Sequence, residues 1–159
     1  MITGRFGDTS GRPFIEGRLY LPRLNLSGDV SFLLDTGADA SILMPADAKR
    51  LRVPFDQLDG DNECGGLGGT VHCFVERALL VFSDPKKALY AYELDIDIMH
   101  DDPQMEDVHS IVGRDVIDRW RITYDPSHSK LQVIVRSADM TFHLEPPAPH
   151  DGGRGASIK

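Results

Sequence analysis

Apolar and polar residues alternate along most of this chain with the two-residue period of β-strands. The clearest run is Tyr90 to Ile98, where Tyr90, Tyr92, Leu94, Ile96 and Ile98 alternate with Ala91, Glu93, Asp95 and Asp97. The first set is expected to face a core and the second to face water. Ile15, Gly17, Leu19 and Leu21 repeat the pattern, as do Val30, Phe32 and Leu34. Leu131, Val133 and Val135 follow it near the end, then Met140, Phe142 and Leu144. The run from Ala78 to Phe82 reads as a further strand, closed by Ser83-Asp84-Pro85. Helical signals are sparse. Pro45 to Leu51 opens on a proline suited to a first turn and is stopped by Val53-Pro54. Asp115 to Arg121 places Val116, Ile117 and Trp120 on one face, with Asp115 positioned to cap. Many short strands with two short helices predict an all-β domain whose sheet is closed or strongly curled.

Length and charge narrow the partners. A chain of 159 residues is read as one domain, here 1–144, with a Pro- and Gly-rich tail over 145–159 expected to be disordered. The net charge is −8 and the basic residues are scattered, which argues against nucleic acid and against an anionic membrane surface. No apolar run is long enough to span a bilayer, and the first residues lack the apolar core of a secretion signal. The expectation is a cytoplasmic protein, with no metal and no cofactor. His100, Asp101, Asp102, Glu106, Asp107 and His109 match no ligand spacing and read as a solvated loop.

Candidate chemistry concentrates in three segments. Phe32-Leu33-Leu34 drives a strand into the core and ends on Asp35, followed by Thr36-Gly37-Ala38-Asp39. A carboxylate at the mouth of a core needs partners or a shared proton, and its small neighbours let a substrate come close. Gly65-Gly66-Leu67-Gly68-Gly69 reads as the tip of a hairpin able to close over a ligand. Ser110-Ile111-Val112-Gly113 leads through Arg114-Asp115 into the second helix, and Arg114 suits a fixed contact with a carboxylate. If Leu67 and Gly68 form the hairpin turn, Cys64 opposes Val71 and Cys73 opposes Asn62. That offset predicts two free thiols rather than a bridge.

In order and spacing, these three segments resemble the retropepsins, the retroviral-type single-lobe aspartic proteases. The resemblance implies the acid-protease β-fold over about Arg12 to Arg121, with Asp35 in the place of the catalytic aspartate. Thr36 would match the threonine that reaches across the subunit boundary. Arg114 would match the arginine that pairs with the acidic residue of the first motif, here Asp39. Asp35, Thr36 and Gly37 are thus the expected catalytic segment. Ala38, Asp39 and the five residues Gly65 to Gly69 are expected at the substrate, with Arg114 and Asp115 as support. The chain departs from the viral pattern in its insert from Pro45 to Leu51 and in the strands that follow Arg121.

Such chemistry needs two carboxylates sharing a proton, because close like charges do not both ionise. The chain has one Asp-Thr-Gly; Asp8-Thr9-Ser10-Gly11 lacks a preceding apolar strand and reads as a turn. The expected enzyme is therefore a homodimeric aspartic endopeptidase acting on extended peptides or unfolded protein. The rival reading is a dimeric peptide-binding or scaffolding module of the same fold without turnover. An aspartyl phosphotransferase is disfavoured, because Gly37 stands where a second, Mg²⁺-binding carboxylate is usual.

Overall fold

A computed structural model describes residues 1–66, 69–86 and 88–143. The expected tail 145–159, with Leu144, therefore lies outside the described residues, as do Leu67 and Gly68 of the hairpin tip. In chain order the strands and helices are β1 (Ile2–Thr3), β2 (Arg5–Phe6), β3 (Pro13–Leu21), β4 (Leu26–Leu34), β5 (Ile42–Leu43), α1 (Pro45–Arg50), β6 (Asn62–Gly66), β7 (Gly69–Asp84), β8 (Ala88–Met99), β9 (Ile111–Val112), α2 (Arg114–Ile117), β10 (Trp120–Asp125), β11 (Lys130–Val135) and β12 (Met140–His143).

The main sheet closes. β8, β5, β9, β4, β3 and β7 pair in succession, and β7 returns to β8. Inward-facing residues of these strands fill the ring, among them Ile15, Leu19, Phe32, Leu80, Phe82, Ile96 and Ile98. Closure removes most open strand edges, which would otherwise invite pairing with other chains. A smaller antiparallel sheet of β1, β11 and β10 packs its buried Leu131 and Val133 on the same core. Trp120 joins the two layers. Its ring meets Phe82 edge-on at 4.9 Å between centroids, and its indole N–H donates to the Tyr92 hydroxyl at 2.7 Å. A buried indole with its N–H satisfied adds apolar area without an orphan donor.

The all-β, closed-sheet expectation holds, and α1 occupies its predicted place. Four finer expectations are corrected. The second helix is a single turn, Arg114–Ile117, and Trp120 and Arg121 already belong to β10, opposite Val135 and Ile134. Ladder pairing with β11 outweighs the weak helical periodicity there. Asp115 is not the cap: Gly113 holds that position, and the Asp115 carboxylate is engaged elsewhere. Asp97, expected on a wet face, is only 6% exposed, because the hairpin of β6 and β7 covers it. Phe142 lies on β12, which pairs with β8 alone, and stays 53% exposed.

The cysteines give the clearest correction. The predicted register is right, since Asn62 opposes Cys73 and Cys64 opposes Val71. The inference of free thiols is wrong, because Cys64 and Cys73 form a disulfide with Cα atoms 6.5 Å apart. Residues offset by two across a ladder share a face, and the strong right-handed twist of a two-stranded ribbon shortens one diagonal between them. Among the described residues, no helix is long and apolar enough to cross a membrane.

Candidate active site

β4 delivers Asp35 to the end of a buried strand, and the turn that follows is stitched to the segment running from β9 into α2. Leu33 and Leu34 pair in parallel with Ile111 and Val112. The Asp35 N–H then donates to the Val112 carbonyl at 3.2 Å. The Arg114 and Asp115 N–H groups donate to the carbonyls of Ala38 and Asp39 at 2.8 and 3.1 Å. Asp35 is half-buried, and its Oδ1 accepts the Gly37 N–H at 2.8 Å. A short turn whose own amide orients its carboxylate presents that group in a fixed pose. Thr36 is exposed on the same turn.

Side chains tighten the junction. Ser41 is fully buried; its N–H and hydroxyl donate to the two Asp115 oxygens at 2.9 and 2.8 Å. The Ser41 Oγ in turn accepts the Gly113 N–H at 3.1 Å. Gly113 is required by contact: a Cβ there would stand 2.5 Å from the Ala40 carbonyl oxygen. Ser110, also buried, donates to Asp47 of α1 at 2.7 Å and accepts the Met44 N–H at 3.0 Å. These bonds tie α1 and β5 to the same junction. Arg114 donates to Asp39 at 3.0 Å, but both side chains are largely exposed, so this pair contributes at most about 1 kcal/mol.

The hairpin of β6 and β7 closes the other side. Gly66 pairs with Gly69, whose φ of +110° favours glycine. Two clefts open beneath the hairpin. One, of about 290 Å³, is lined by Gly37 to Ala40 on the turn and by Asn62, Cys64, Gly65 and Asp97 opposite. Its neighbour, of about 260 Å³, is mostly apolar and includes Ile42, Met44, Val71, Met99 and Ile111. The fold thus brings Gly37, Ala38, Asp39 and Gly65 around one cleft, with Asp35 and Thr36 on the adjoining turn. Arg114 and Asp115 stand behind that turn. Sequence reasoning missed Ser41, Asn62 and Asp97. Ser41 carried a usable signal, being a hydroxyl inside the otherwise apolar run Ala40 to Leu43.

One ion pair ties the hairpin to the chain before it. The His72 ring and the Asp61 carboxylate are 2.7 Å apart. Hydrogen bonding to Asp61, and its charge, raise the His72 pKa above the ordinary histidine value, with Glu63 adding a smaller push. The pair's contribution is therefore complete below the unfolded-state pKa and is lost as pH rises through the higher folded value. Proton NMR of the His72 ring should show a raised midpoint that falls toward the ordinary value in Asp61→Asn. An unchanged midpoint in that variant would refute the assignment.

The lysine of α1 explains part of the acidic loop. Lys49 pairs with Asp101 at 2.7 Å and also with Glu106. Hydrogen bonds to these two carboxylates raise its pKa.

A retropepsin-like aspartic protease from Rickettsia conorii aligns over 91% of this chain and 92% of its own, with 16% identity and a TM-score of 0.55. The fold is retropepsin-like. EIAV protease, solved with an inhibitor, aligns over 70% of this chain and 90% of its own, with 21% identity and a TM-score of 0.47. No protein-family model and no curated protein sequence matches the chain. In this retropepsin-like fold Gly37 of the Asp-Thr-Gly turn and residues of the hairpin line a common cleft, to which α1 and the strands after α2 contribute no lining residue among those described.

Proposed function

We propose that the chain is an aspartic endopeptidase that works as a homodimer on extended peptides or unfolded protein. The observation that carries the reading is the Asp35 turn, fixed from behind by β9 and α2, beside a cleft roofed by a two-stranded hairpin. Asp35 is the catalytic carboxylate in this reading. Thr36 and Gly37 shape its turn, with Thr36 meeting the partner subunit. Ala38, Asp39 and the segment Gly65-Gly66-Leu67-Gly68-Gly69 contact substrate. Arg114 and Asp115 hold the turn. No metal or cofactor takes part.

Water bound between two Asp35 side chains gives a proton to one carboxylate, acting as general base, and attacks the peptide carbonyl carbon. The other carboxyl group protonates the carbonyl oxygen as it becomes tetrahedral. Collapse of that intermediate breaks the C–N bond, and the amine leaves with a proton from the pair. The two groups titrate as a unit. An edge of the hairpin can hold the peptide as an added strand through main-chain hydrogen bonds, and the apolar cleft at Ile42 and Ile111 can take a side chain.

A site built from two copies of one residue depends on association. Specific activity should fall on dilution through the dimer dissociation constant, in step with the dimer fraction measured by sedimentation. Constant specific activity across a range in which sedimentation shows monomer would overturn the homodimer reading.

A further inference from the structure

Three side chains at the root of the hairpin take no part in the proposed reaction. The sulfurs of Cys64 and Cys73 and a carboxylate oxygen of Asp97 all lie within 4.8 Å of one another. Cys73 is fully buried and Asp97 is 6% exposed, while Cys64 is half-buried and lines the cleft. Asp97 accepts a hydrogen bond from the Asn62 amide at 2.9 Å. Among the described residues no buried side-chain nitrogen or oxygen lacks a hydrogen-bond partner, and for Asp97 that partner is a neutral amide. Buried carboxylates are ordinarily paired with a cation or bound to a metal. One amide donor uses only one of about four lone-pair sites on such a group.

We propose that, once the disulfide is reduced, Cys64, Cys73 and Asp97 bind a thiophilic divalent cation of the zinc class. Two thiolates and a carboxylate form a donor set that suits a borderline-soft, tetrahedral ion. At a Zn–S distance of about 2.3 Å, two tetrahedral thiolates stand about 3.8 Å apart. Cleaving the bridge frees the sulfurs to separate by side-chain rotation, from Cα atoms that stand 6.5 Å apart in the bridged form. The Asn62 amide orients the carboxylate from behind, as supporting groups do around metal ligands. Cys64 and Asp97 also line the cleft shared with Gly37 to Ala40, so a bound cation would be reachable from it.

The redox step needs a dithiol or phosphine reductant. It delivers two electrons and the sulfurs take two protons. A dithiol leaves as its own disulfide, and a phosphine leaves as its oxide with an oxygen from water. The cation then displaces both thiol protons into solvent, so affinity rises with pH. The bridged and metal-bound forms exclude each other, because bridged sulfurs carry no thiolate charge. In a reducing compartment the metal-competent form prevails.

The test uses the full chain, reduced by a phosphine under argon and titrated with Co²⁺ as the probe. Thiolate-to-cobalt charge-transfer bands should appear at one equivalent and vanish when Zn²⁺ is added. The oxidised chain should show none. Cys64→Ser and Asp97→Asn should each weaken Co²⁺ binding by about 10-fold or more, scaled to ligand-shell losses. Circular dichroism checks that each variant is folded, and Cys73→Ser serves if Cys64→Ser is not. Absent bands in the folded reduced chain, equal binding by the oxidised chain, or unchanged affinity in folded Asp97→Asn would each overturn the site. The same titration on Asp35→Asn should be unchanged, so this result stands or falls apart from the peptidase reading.

Discussion

Asp35→Asn is expected to lower peptide hydrolysis by about 10³-fold or more, within the range of general acid–base catalysis. The replacement is nearly isosteric. The new amide oxygen can still accept the Gly37 N–H that Asp35 Oδ1 now accepts at 2.8 Å. The turn's backbone bonds to Val112 and Arg114 do not involve the side chain. Folding should therefore be unchanged, while an amide cannot take a proton from water. Because both carboxylates would come from one codon, the change removes the pair at once. Mixing gives a sharper reading. If subunits exchange freely and both aspartates are needed, activity falls with the square of the wild-type fraction; if one suffices, only the doubly substituted dimers are dead and the activity lost grows with the square of the variant fraction. Cleavage of an unfolded protein by a purified, folded variant at the wild-type rate would refute the catalytic assignment.

Gly113→Ala is expected to cost about 3 kcal/mol of stability, at the upper end for overpacking. For a chain of this size that corresponds to a fall in Tm of roughly 6–12 °C. The new Cβ would meet the Ala40 carbonyl oxygen at 2.5 Å, its carbon at 2.6 Å and the Ala38 carbonyl oxygen at 3.0 Å. All three are backbone atoms and cannot swing aside, so the segments must separate. Separation strains the Arg114-to-Ala38 and Asp115-to-Asp39 bonds and the Ser41 bond to Gly113. The Asp35 turn would shift with them, and activity should fall even well below the new Tm. Gly65→Ala is the control, because its Cβ would meet nothing within 4 Å. Calorimetry should leave the Gly65 variant within about 0.5 kcal/mol of wild type. Equal melting of the Gly113 variant and wild type would refute the close-packed junction.

Elements written in local pattern were legible. Period-two alternation marked β3, β4, β8 and β11, because each buries one face and wets the other. α1 was visible from its proline and good helix formers. The two-residue strands β5 and β9 were not, since their role comes from pairing with β8 and β4 far along the chain. The helix expected to reach Arg121 stopped at Ile117 for a similar reason: β11 offered the chain a ladder.

The candidate site divides along the same line. The sequence alone determined that a single Asp-Thr-Gly follows a buried strand, that a glycine-rich hairpin follows it, and that Cys64 and Cys73 sit on opposite arms two residues out of step. Those are facts of order and spacing, which short-range chemistry reads directly. Tertiary structure decided that Asp115 is held by Ser41, that Asp97 is covered, and that the twisted ribbon brings the two sulfurs to bonding distance. Each depends on where distant segments cross, and hydrophobic pattern fixes which face is buried but not which polar partner waits there.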